Sequence, residues 1–248
     1  MLAWIAPIFH LLTGALLPLL RISGLMVSAP IFGQAMVPVR VRVLLALTVT
    51  AAVAPLYPAA PALLSIAWWR TAFAQVVIGL LIGLLFRLIF EGVLMGAEAA
   101  SLSTGLSFAQ MASPAEATPT AAFGTLYTIL ATLAFLAFDG HLLMLKVLVD
   151  SLQYSAGPLH FAHSVLSFGG NVLAAGILLA APVIAAMLGV YLATGAMSKA
   201  APALNIFAVG FPAALMIGLI ALGWSLNGIP GTVARFTRQA TAALHGGP

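Results

Sequence analysis

The sequence predicts an all-α integral membrane protein of kinked helical hairpins with about six hydrophobic helical segments, and three observations predict it. Of the 248 residues, 63% are hydrophobic and 6% charged, whereas soluble domains carry roughly a quarter charged residues. The mean hydropathy is +1.17, and the shortage of charge extends along the whole chain, so a greasy tail on a soluble domain does not explain it. Prolines and small residues recur inside the apolar runs, the pattern of bent helices packed closely on other helices.

A helix crosses the hydrocarbon core with roughly 20 apolar residues. The first segment runs from Met1 to Leu20 and on past Arg21 to Val27; it lacks the charged start of a signal peptide and reads as a retained helix. The second, Val43 to Ala67, is interrupted by Pro55, Pro58 and Pro61. The third runs from Ala72 to Leu94 and continues, less greasy, to Leu106. The fourth, Ala121 to Val149, carries Asp139, His141 and Lys146. The fifth is Val165 to Ala196 and the sixth Ala203 to Leu226. Residues 231–248 read as a flexible basic tail. Turn residues gather in the linkers, none long enough for a soluble domain, so residues 1–248 read as one membrane domain.

The net charge of +4 comes from nine Lys and Arg against five Asp and Glu. Nucleic-acid binding needs clustered cations, and the closest pairs, Arg40/Arg42 and Arg235/Arg238, only flank apolar segments. The chain has no cysteine, which excludes disulfides and thiolate chemistry. Six spans with both ends inside put Arg70, Arg235 and Arg238 on one side and Arg40, Arg42 and Lys199 on the other. The positive-inside rule then has nothing to act on, which hints that the segments do not all cross lipid in the ordinary way.

Several features are candidates for function. Gly79/Gly83 and Gly92/Gly96 form two GxxxG pairs, and Gly210, Ala214 and Gly218 form a third small-residue stripe; these suit close helix packing within the chain and between subunits. Arg87, Glu91 and Glu98 recur at helical spacing near one face. Charges at membrane depth pair or line a wet cavity, so these three serve either packing and subunit contact or an ion pathway. Asp139-Gly140-His141 lacks the ligand spacing of a zinc site, and no nucleophile–base arrangement or phosphate-binding glycine loop is present. Neither an enzyme nor a cofactor is expected. Pro30, Pro38, Pro182, Pro202 and Pro212 lie within or beside helices and point to hairpins bent against protein or to the broken helices of a secondary transporter.

Arg21-Ile-Ser-Gly-Leu, Ala29-Pro30-Ile-Phe-Gly33 and Val37-Pro38-Val-Arg-Val-Arg42 resemble the opening signature of the FliR family of flagellar and type III secretion export proteins. The runs from Glu91 to Glu98, Gly105 to Ala109, Asp139 to Leu142 and Ser151 to Pro158 are similar to its central part. The most specific run is Lys199 to Pro212, with Pro202, Asn205, Phe207, Gly210 and Pro212. Departures are Ser113-Pro114 where the family has an Asp-Pro step, Lys199 for its Arg, and Ala203 for its Gln.

The resemblance implies an export-gate subunit of the bacterial inner membrane, inside the flagellar or type III secretion basal body. It would assemble with FliP- and FliQ-like subunits, associate with a FlhB-like protein, and conduct unfolded secreted proteins, with many of its helices buried against these partners. A plug loop is implied around Phe108 to Pro119, with Phe108, Gln110, Met111, Ser113 and Pro114 as pore candidates. Arg21, Pro30, Gly33, Pro38, Pro202, Asn205, Phe207, Gly210 and Pro212 become assembly residues, and Arg87, Glu91, Glu98, Asp139 and Lys199 the charged contacts. Two other readings stand beside it: an ion-coupled secondary transporter using Arg87, Glu91 and Asp139, and a membrane scaffold without a conduit.

Overall fold

In the computed structural model, residues 5–33, 37–57, 61–104, 119–153, 157–200 and 206–245 are described. They form eight α-helices and one 3-10 turn, with no strand among them. The helices are α1 (Ile5–Ser28), α2 (Val39–Val53), α3 (Ile66–Ser103), α4 (Pro119–Ala137), α5 (Gly140–Gln153), α6 (Pro158–Ala200), α7 (Ile206–Leu226) and α8 (Gly228–His245). The 3-10 turn, Ala54–Leu56, follows α2.

Contacts within the chain fall into two compact units, where the sequence reads as one. The first holds residues 1–88, 139–169 and 237–248. Its α1 and α3 meet backbone to backbone: a Cβ on Gly79 would lie 2.0 Å from the Arg21 carbonyl oxygen. Gly24 faces the Val76 carbonyl across the same contact, and Ser28 Oγ donates to the Leu80 carbonyl at 2.9 Å. Leu17, Trp68 and Ala72 form an apolar cluster there, with Leu20 and Tyr57 packed against it.

The second unit holds residues 89–138 and 170–236. Here a Cβ on Gly176 would lie 2.3 Å from the Gly92 carbonyl oxygen, and Gly96 faces the Gly176 carbonyl. Gly218 lies against Thr104 and Met187. Phe90 and Phe135 pack edge to face with centroids 5.4 Å apart. Gly79, Gly83, Gly92, Gly96 and Gly218 are thus all buried against their own chain, the packing within the chain that their spacing predicts.

Three helical stretches are long and apolar enough to cross a membrane: Ile66–Ser103, Pro158–Ala200 and Pro212–Ala242. The pair α4 and α5 qualifies only when taken together as a broken span. The second apolar segment yields just the 15-residue α2, because the proline cluster stops the helix. Pro182 and Pro212 do not end their helices; α6 runs 43 residues through Pro182, and Pro212 lies inside α7. A proline costs one backbone hydrogen bond, a loss that a membrane helix tolerates where other groups satisfy the freed carbonyl.

The basic tail is also corrected, for residues 228–245 are helical. Ile229, Val233, Phe236 and Ala240 are buried, while Arg235 and Arg238 are exposed. That spacing gives one apolar stripe along a helix, and it is diluted in the sequence by the Gly, Thr and Gln between.

Candidate functional site

The most buried cation among the described residues is Arg21, in α1, with 3% of its surface exposed. Its Nε donates to Gln75 Oε1 on α3. Its Nη1 donates to the Ser151 carbonyl and, at 3.0 Å, to Ser151 Oγ on α5. Gln75 passes the network on through Nε2, which donates to the Tyr57 hydroxyl at 2.9 Å, and Ser151 Oγ donates to the Leu148 carbonyl at 2.6 Å. Each of the acceptors named for Arg21 is neutral. A guanidinium keeps its proton and has five donors in a planar fork, so this centre fixes geometry and offers no general acid or base.

The second unit has its own polar latch. The Tyr127 hydroxyl on α4 donates to Ser225 Oγ on α7 at 3.0 Å, and Ser225 Oγ donates to the Leu179 carbonyl on α6 at 2.8 Å. Tyr127 is fully buried. Both donors are satisfied, as buried hydroxyls require. The Ser101 hydroxyl, also fully buried, has no partner.

The charged candidates lie elsewhere. Arg87 and Glu98 are exposed on α3 and Glu91 is half-buried. Asp139 is exposed at the break before α5, with a left-handed backbone at φ 56°, and its carbonyl accepts the Leu143 amide at 2.9 Å. Turn geometry therefore accounts for the Asp-Gly step. His141 is half-buried, with an Nδ1 that has no hydrogen-bond partner. Lys199 is exposed in the last turn of α6, where a cation favours the helix dipole. Among the described residues no group of three His, Asp or Glu gathers as a metal site.

Of the motif residues, Pro30 is buried just past the end of α1, Gly33 is half-buried, and Pro38 precedes the first residue of α2. Phe207, half-buried Gly210 and exposed Pro212 lie on α7. Phe108, Gln110, Met111, Ser113, Pro114, Pro202 and Asn205 lie outside the described residues. Gln75, Ser151, Tyr57, Tyr127 and Ser225 were not singled out by sequence. The only hint for Gln75 is an uncharged amide standing alone in the apolar run Ala72 to Leu85.

The arrangement is one of helices held by polar pins. The profile of the bacterial export proteins, family 1, matches residues 12–240. The chain belongs to this family. The flagellar biosynthetic protein FliR of Pectobacterium carotovorum subsp. carotovorum is 35% identical over 237 residues, 93% of this chain and 88% of that protein. FliR of Escherichia coli K12 is 36% identical over 209 residues, covering 82% of this chain and 80% of its own. FliR of Bacillus subtilis is 26% identical over 224 residues, 87% of this chain and 86% of that protein. The chain is therefore a membrane-embedded component of a flagellar type of export apparatus.

Proposed function

We propose that the chain is a structural, non-enzymatic subunit of the export gate in the bacterial inner membrane. With FliP- and FliQ-like subunits it forms the channel through which unfolded secreted proteins cross, and a FlhB-like protein joins the assembly. Its family membership supports this reading, and the observation that carries it is the surface of the lone chain. Arg87 and Glu98 are exposed on a helix long and apolar enough to span a membrane. Charges so placed are costly against lipid and settle against protein or water. Partner helices or an aqueous conduit would supply both.

The test is co-expression. With FliP- and FliQ-like proteins the chain should accumulate and co-purify as one complex, and expressed alone it should be unstable. A lone chain that purifies as a single species and transports ions in liposomes would replace this reading with the transporter. For the plug, exchanging Phe108 to Met111 for glycines should raise leakage of small solutes through the assembled complex. Unchanged leakage would place the plug elsewhere.

A further inference from the structure

We propose that Arg21 is a positioning residue that caps the C-terminus of α5 from another helix, the carbonyl end of α5 taking the place of a carboxylate as partner for its charge. The last four carbonyls of a helix lack intrahelical donors and carry the negative end of its dipole. Helix α5 ends at Gln153 and has no basic residue of its own in its last turn. Arg21 supplies one. Its Nη1 donates directly to the Ser151 carbonyl, one of those last four, and also to the Ser151 hydroxyl, which donates back to the Leu148 carbonyl one turn earlier.

This arrangement explains how a guanidinium with 3% exposure is held, among the described residues, by neutral acceptors. A buried cation needs compensation, and aligned carbonyl dipoles provide it. The second arm, from Nε to Gln75, aims the fork. Gly79 presses on the carbonyl of Arg21 itself, so the backbone that carries the fork is fixed against α3. The α1–α3 contact rests on glycine packing, and the end of α5 rests on Arg21.

Hydrogen exchange by mass spectrometry on the full chain, co-expressed with its partners in native membranes and transferred to nanodiscs, separates these two supports. Arg21→Met should speed exchange in the last turn of α5 by roughly tenfold, while amides of α3 near Gly79 stay protected. Arg21→Lys, which keeps the charge but loses the fork, should give a smaller rise at the same place. Gln75→Leu, which removes the arm that aims the fork but leaves the bonds to Ser151, should give a rise at the same place no larger than that of Arg21→Lys. Equal loosening of α1, α3 and α5 in Arg21→Met would show a general core role and overturn the proposal. An unchanged α5 would do the same. If Arg21→Met fails to accumulate, Arg21→Lys decides: no local rise at the end of α5 refutes the cap.

Discussion

At Gly79 the backbones of α1 and α3 leave no room for a side chain, since a Cβ would approach the Arg21 carbonyl oxygen to 2.0 Å. Gly79→Ala should therefore force the helices apart and cost about 1–3 kcal/mol, as overpacking does, readable as a lower unfolding temperature in detergent. Tyr127→Phe should cost less, about 0.5–1.5 kcal/mol. It removes one donor, while Ser225 still donates to the Leu179 carbonyl; a loss as large as that of Gly79→Ala would mean the hydroxyl does more than join α4 to α7. The sequence marks these residues unevenly. Arg21 stands out because it is a charge in an apolar run, and the glycines because they recur every four residues. Gln75 and Ser151 do not stand out: their bonds to Arg21 span 54 and 130 residues, and no local period encodes a contact at that distance.

Elements were more legible than their ends. Apolar runs located the helices up to α7, because burial in lipid or protein demands length and greasiness together, whereas the 18-residue α8 read as a tail. What local pattern cannot tell is how a proline will act. The cluster at Pro55, Pro58 and Pro61 closes α2 and its 3-10 turn well before α3 begins, yet Pro182 is absorbed within α6. The Asp-Gly step divides one apolar run into α4 and α5 through a residue at φ 56°. Left-handed backbone is costly for most side chains and free for glycine. Asp139→Gly should therefore hold or raise thermal stability and preserve motility, and Asp139→Val should lower stability by about 1–2 kcal/mol. Loss of motility in a stable Asp139→Gly protein would restore a chemical role for the carboxylate.

For the molecule as a whole, the question is what covers the surface that the chain leaves open. Phe73, Leu166 and Trp224 are each more than 70% exposed, and such side chains are equally at home against lipid or a partner helix. Hydropathy cannot distinguish the two, which is why the sequence alone left open which segments cross lipid. Glu98 does distinguish them. It is exposed on α3 between Met95 and Leu102, which are exposed as well, and a carboxylate surrounded by apolar surface disfavours lipid by about 2.5–3.5 kcal/mol at the centre of a bilayer. If that face meets lipid, Glu98→Leu should improve both the stability and the membrane yield of the chain. If it meets a partner subunit or an aqueous channel, Glu98→Leu should change the chain's own stability by no more than about 0.5 kcal/mol while reducing co-purification with the FliP- and FliQ-like proteins or slowing secretion. The export-gate reading requires the second result. Glu98→Gln then separates charge from shape: recovery with the amide points to hydrogen bonding across the interface, and persistent loss points to a cation on the partner's side.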